Sequence, residues 1–498
     1  MTPAADHVER FRALAARRFG LQFDDTKLGW LGDVLQRRAG SRRLTVDAYL
    51  ATVESAPAAD EAGALATELT VGETYFFRNM EQFNALREQV LPDRLRAQAS
   101  RSSLRILSAG CASGEEPYSI AMSLCDLLPD RSWQLSIRAV DLNPAAIEKA
   151  LRGRYTGWSL RETPQAMQQR WFRPDGRDQL LDETLRRAVS FEVRNLHDDD
   201  CELWQPGAYA VVFCRNVLMY FTPQSAAAVV ARIARSLAPG GALFLGHAET
   251  LRGLSQDFHL CHTHGCFYYR SRSADETRIA PSAPAMSAPA LVAALDGGDA
   301  WVQAIERASQ RVRALTTPPS LAQRPGSPRA FAGWHLGHAL ELLGRERFAE
   351  ALELVHGLPP ESAQDPDVLL LHAVLLVHGG RLVQAEDTCR RLLAIDELNA
   401  GAHYVLALCC EAAGNTRGAV DHDQVAVYLD PAFAMPRLQL GLLARRAGDR
   451  DTSRREFEQA RTLLLREDAS RLLLFGGGFG REALLALCEA ELQAEGLS

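Results

Sequence analysis

The stretch Leu107–Ser119, LSAGCASGEEPYS, sets an apolar run against two glycines among small residues, then two adjacent glutamates and a proline. A loop of this kind commonly leaves backbone N–H groups open to a phosphate, but carboxylates at Glu115 and Glu116 make phosphate unwelcome. They suit a ligand carrying positive charge, while Gly110 and Gly114 let the backbone approach it closely. Acids at a helix N-terminus are also favoured by the helix dipole without any ligand, and that reading stands beside the first for both glutamates. A second concentration of reactive side chains, FHLCHTHGC, packs His259, Cys261, His262, His264 and Cys266 into a few positions. On a strand, alternate residues face opposite sides and this spacing matches no zinc pattern, so no metal is expected there.

The elements around the first loop can be read from periodicity. Leu104–Ala109 is a short apolar run and YSIAMSLCDLL after the loop is an amphipathic helix, which makes a strand, loop and helix. QLSIRAVDLN is a second strand closed by Asp141, and PAAIEKALRGRY a helix begun at Pro144. AYAVVFCRNVLMYF reads as a buried strand entering a loop, PQSAAAVVARIARSLAPGG as a helix with a glycine stop, and ALFLGHAE as a further strand. Such alternation predicts a doubly wound α/β sheet whose ligand sits at the carboxyl ends of the strands. The loops after Ser108, Asp141 and Cys214 then share one crevice. S-adenosylmethionine fits that crevice, having a sulfonium and an ammonium for the acidic loop and ribose hydroxyls for Asp141.

At 498 residues and 47% hydrophobic, the chain is long enough for two or three domains with cores of their own. A formal charge of −7 disfavours non-specific nucleic-acid binding, and ten scattered cysteines without a CxxC pair suggest reduced thiols. With no basic-then-apolar leader and no apolar run long enough for a bilayer, the expectation is a cytoplasmic protein without direct membrane insertion. Residues 273–329 are rich in Pro, Ala and Ser and read as a linker with a short helix near Leu291–Leu315. Beyond it Gly344, Gly380, Gly414 and Gly448 recur at 36, 34 and 34 residues, each followed five residues later by a small residue (Ala349, Ala385, Ala419, Ser453), with Pro431 where a repeat closes. That pattern resembles the tetratricopeptide repeat, an all-α solenoid that binds a protein or peptide.

In order, LTVGETYFFRN, LSAGCASGEEPYSIA, AVDLNPAAIEKA, FEVRNL, VVFCRNVLMYF and LAPGGALFLGHAE resemble the CheR family of chemoreceptor glutamate methyltransferases over roughly the first 270 residues. Together with the repeat pattern, the resemblance implies an N-terminal helical domain (1–88), a methyltransferase domain (89–272), repeats at 330–466 and capping helices at 467–498. It also implies S-adenosylmethionine held by Gly72, Thr74, Arg78, Gly110, Glu116, Asp141, Asn195, Leu196, Arg215 and Asn216, with Arg78 and Tyr220 at the reacting centre. Gly72 stands where family members often carry asparagine. Methyl-accepting chemoreceptor-like proteins are the implied substrates, glutamate methyl esters the products, and a protein on the repeats the further partner. The short hairpin between Trp171 and Asn195 argues against tethering to a receptor tail. Arg37, Arg38, Arg42 and Arg43 read either as a solvated face or as a patch for acidic receptor helices. A catalytically weak scaffold working through its repeats, or a methyltransferase with a non-receptor acceptor, are the competing readings.

Overall fold

The computed structural model describes residues 3–272 except 56–58, 100–101, 126, 129–132 and 248, and residues 347–496 except 359–363 and 478, with a few positions between 339 and 345. The linker with its short helix, and Gly344, lie outside the described residues. The chain divides into two compact units, 1–279 and 280–498.

The first unit is built on a seven-stranded sheet ordered β6-β2-β1-β7-β8-β10-β9. Its parallel part comprises β1 (Ser103–Ala109), β2 (Gln134–Asp141), β6 (Val189–Val193), β7 (Tyr209–Cys214) and β8 (Leu237–Leu245). β9 (Phe258–Thr263) and β10 (Cys266–Ser271) close the edge as an antiparallel hairpin. Every residue of β7 is buried, as a central strand covered on both faces requires. Helices Glu115–Leu124, Pro144–Arg152 and Pro223–Ser236 follow β1, β2 and β7. The order places β1 beside both β2 and β7, so the chain reverses direction across the sheet at β1. The three loops predicted to converge leave from these three neighbouring strands. A separate small sheet joins β3 (Arg154–Tyr155), β5 (Asp178–Leu181) and β4 (Phe172–Asp175), the last two linked by a tight turn at Gly176 and Arg177.

Four helices, Ala5–Phe19, Leu28–Ser41, Val46–Ser55 and Ala59–Leu69, precede the sheet. They are stitched to it by backbone pairing: Gln22 N–H donates to the Tyr220 carbonyl at 2.8 Å and Thr222 N–H to that of Gly20 at 2.8 Å. The basic run on the second helix is spent inside this unit. Arg37 pairs with Glu68, while Arg38 and Arg42 both reach Glu61, which is buried and also accepts from the Tyr49 hydroxyl at 2.6 Å. Three of the four arginines thus pair with acids of the fourth helix, Arg37 and Arg42 while remaining partly exposed.

In the second unit, helices begin at Pro366, Ala400 and Ala434, and their antiparallel partners at Leu382, Thr416 and Arg450, a 34-residue period in both series. Gly380, Gly414 and Gly448 adopt left-handed φ values of 70°, 76° and 79°, the conformation that ends one helix and turns the chain into the next. Ala385, Ala419 and Ser453 are fully buried at the close approach of paired helices. Helices Ala469–Phe475 and Arg481–Gly496 follow, and the latter packs on Arg450–Leu464. The second unit is a tetratricopeptide-type solenoid.

Candidate functional site

The loops after β1, β2 and β7 open into one cavity of about 400 Å³. Thr74, Arg78, Gly110, Glu116, Asp141, Asn195, Leu196, Arg215, Asn216 and Tyr220, all expected at the site, line it. Gly72 lies between two lining residues, Val71 and Glu73, but is not itself among them.

Charge in the cavity is arranged by burial. Glu116 accepts from the Ser108 hydroxyl at 2.7 Å and lies 3.6 Å from Arg215 Nη1. Burial pushes its carboxyl above the ordinary range, and Arg215 and Ser108 pull it back toward the ionised form. Asp141 accepts from the backbone N–H groups of Ala112 and Asn143, both at 2.8 Å; burial raises its pKa and these bonds oppose the rise. Arg215 is almost completely enclosed, donates to the Arg78 carbonyl and to Asn79 Oδ1, and leaves its Nε buried without a hydrogen-bond partner among the described residues. An orphaned guanidinium N–H beside a half-compensated carboxylate fits a zwitterionic group better than it fits an empty pocket.

The structure separates the two adjacent glutamates. Glu115 turns away from the cavity into the core, accepting from Ser113 Oγ at 2.7 Å and Ser159 Oγ at 3.3 Å, with Lys149 at 3.9 Å. Only Glu116 faces the ligand space. Gly110, at φ 81°, leaves no room for a Cβ, because Val217 of the β7 loop occupies that position. The loops after β1 and β7 are thereby packed against each other.

One residue that holds this geometry is invisible to the sequence reading. Glu249 is buried and accepts from the N–H groups of Asn216 (2.6 Å), Gly246 (2.8 Å), Val217 (2.9 Å) and Met219 (3.3 Å). It pins the segment that carries Asn216, itself at a left-handed φ of 57°, and Tyr220. Gly246 is required here, since a Cβ would lie 2.7 Å from the Asn216 amide and 2.8 Å from Glu249 Oε2. The signal present in the sequence is an acid three residues past a glycine at the end of β8. His247 also lines the cavity. The His/Cys-rich segment forms the β9–β10 hairpin, and no group of residues able to hold a metal occurs among the described residues.

Residues 72–266 match the family described as CheR methyltransferase, SAM binding domain. Chemotaxis protein methyltransferase 2 of Vibrio cholerae is 34% identical over 255 residues, 50% of this chain and 88% of that protein. The probable biofilm formation methyltransferase WspC of Pseudomonas aeruginosa is 30% identical over 453 residues, 91% of this chain and 98% of that protein, so the likeness extends through the repeat region. A chemotaxis protein methyltransferase of Klebsiella aerogenes is 36% identical over 216 residues, 43% of this chain and 71% of that protein. With these matches and a cavity whose acids, buried arginine and loops answer to S-adenosylmethionine, the chain belongs to the CheR family of S-adenosylmethionine-dependent methyltransferases.

Proposed function

We propose that the protein esterifies glutamate side chains of chemoreceptor-like proteins and that its repeats hold a protein partner. The observation that carries the first part is Arg78. It lines the cavity, has no ion-pair partner among the described residues, and donates only a long bond of 3.4 Å to the Glu73 carbonyl. A cavity-lining guanidinium with no such ion pair, held besides that bond by the Tyr75 ring and the field of Glu116, favours an anionic acceptor.

Glu116 and Arg215 hold the two charged groups of the cofactor's amino-acid end, Asp141 takes its ribose hydroxyls, and Thr74, Asn195 with Leu196, and Asn216 complete the walls. When bound, S-adenosylmethionine supplies an electrophilic methyl group. A glutamate acceptor is ionised at neutral pH and needs no general base. Arg78 orients that carboxylate by its planar fork, Tyr220 donates a hydrogen bond from the rim, and the apolar side chains of Val217 and Phe221 exclude water from a weak nucleophile.

Incubating the protein with methyl-labelled cofactor and the host's receptor fragments tests this directly, since a glutamate ester releases its label in mild base. Label that survives base would refute the acceptor assignment. Asp141→Ala should weaken cofactor binding by about 1.5–3 kcal/mol, the worth of hydrogen bonds to a charged group, as measured by calorimetric titration. Arg78→Lys should not restore turnover, because an ammonium cannot reproduce a two-pronged contact; near-normal rates in the lysine variant would show that charge alone matters there.

A further inference from the structure

We propose that Trp158, Arg161 and Tyr75 form a recognition ledge beside the cavity mouth that takes acidic side chains flanking the acceptor glutamate in the protein substrate. The ledge rests on the carboxylate-acceptor reading above.

The Arg161 guanidinium lies over the Tyr75 ring at 3.7 Å and over the Trp158 ring at 4.3 Å. The same Tyr75 ring has Arg78 at 5.6 Å. Tyr75 and Arg78 line the cavity, whereas Arg161 and Trp158 do not, so this stack extends the site outward from the place of methyl transfer. One N–H of Arg161 is used, Nη1 to the Trp158 carbonyl at 2.8 Å. The rest of its planar fork has no hydrogen bond or ion pair among the described residues. The acids adjacent in sequence to the ledge, Glu73 and Glu162, are exposed and pair with neither arginine.

Stacking on aromatic faces fixes a guanidinium while leaving its in-plane donors at the edge, the arrangement that receives a carboxylate. Trp158 is 71% exposed, and Val71 and Met219, which line the same mouth, are 65% and 60% exposed. Large apolar side chains kept in water around two unpaired cations fit an amphipathic acidic segment, whose apolar positions cover the rim while its carboxylates meet Arg161 and Arg78. A neutral or basic segment would leave both cations uncompensated on docking. The ledge therefore selects which glutamates reach the cavity, and it does so without touching the cofactor.

Steady-state methylation of a chemoreceptor cytoplasmic fragment by the full chain tests the ledge. Arg161→Gln should raise KM for the fragment about tenfold, a loss of roughly 1.4 kcal/mol. Both kcat and cofactor affinity should stay within about twofold, and KM should become less sensitive to salt. Arg161→Lys should recover only part of the loss. Replacing acids that flank the methylated glutamate with glutamine should raise KM for the wild type and leave the Arg161→Gln variant unmoved. An unchanged KM in Arg161→Gln on a fragment that the wild type methylates overturns the proposal. So does a loss of cofactor affinity in that variant, which would reduce Arg161 to a support for Tyr75. A wild-type enzyme that labels no carboxylate overturns the acceptor assignment and the ledge with it.

Discussion

Glu249→Gln is expected to lower kcat/KM for methyl transfer by roughly a hundred- to thousandfold, about 3–4 kcal/mol, although Glu249 is not expected to contact either reactant. Its two carboxylate oxygens accept four backbone N–H groups from Gly246, Asn216, Val217 and Met219. A glutamine of the same shape replaces one of those oxygens with an NH2, which points a donor at donors. With a charged acceptor each such bond contributes about 1.5–3 kcal/mol, and at least one is lost and another becomes repulsive. The segment it releases carries Asn216 and Tyr220, and Val217 packs on Gly110. Cofactor affinity should therefore fall along with turnover. Calorimetric titration and single-turnover rates measure the two separately. Wild-type values for both in the glutamine variant would show that the segment keeps its shape without the carboxylate.

Much of the site can be read in the chain because its parts are local. A strand ending in small residues, a glycine that admits a close neighbour, and an acid at the next strand end each sit within a few residues of one another, and the strand order brings the loops together. What cannot be read is set by contacts across distance. Glu115 is turned from the ligand by its neighbour Ser113 together with Ser159 and Lys149, and the last two lie more than thirty residues away along the chain. The grip of Glu249 on the β7 loop requires β7 and β8 to be parallel neighbours, which residue types alone do not specify.

The basic run on the second helix teaches the same lesson from the other side. Arg37, Arg38 and Arg42 look available because their partners, Glu68, Glu61 and Asp60, belong to a helix that begins seventeen positions after Arg42. Only packing shows that Glu61 is buried and shared between two of these arginines and Tyr49. The repeats are the opposite case. Their period, turn glycines and small residues are all local, and among the described residues Gly380, Gly414 and Gly448 fall at the turns and Ala385, Ala419 and Ser453 at the close approaches their types predict.

Asp423→Asn is expected to stabilise the repeat unit, by an amount that grows with pH. Asp423 lies on the helix Thr416–Leu429, is fully buried, and has no hydrogen bond to either carboxylate oxygen among the described residues. Burial holds its pKa well above the ordinary value, and the like charge of Glu411 adds to the rise. Between the ordinary carboxylate pKa near 4 and the raised folded value, the unfolded chain releases a proton that the folded chain retains, so folding stability falls as pH rises through this window. Asparagine does not titrate, and the variant escapes that loss. The histidines of the same unit act in the opposite direction. His403, whose Nδ1 is 3.1 Å from that of His422, and His372, beside His356, are both pushed down to about 4 by burial. They make stability rise with pH between about 4 and 6.5. Because both proteins carry these histidines, their contribution cancels in the difference. Thermal unfolding of the full chain, following the transition of the repeats, should show nearly equal midpoints for variant and wild type near pH 4. By pH 7.5 the variant should lead by on the order of 2–4 kcal/mol, the linkage cost of a carboxyl that keeps its proton when folded while the unfolded chain ionises. A difference that is constant across this range would mean that Asp423 has the same proton occupancy folded and unfolded, and that burial alone does not govern it.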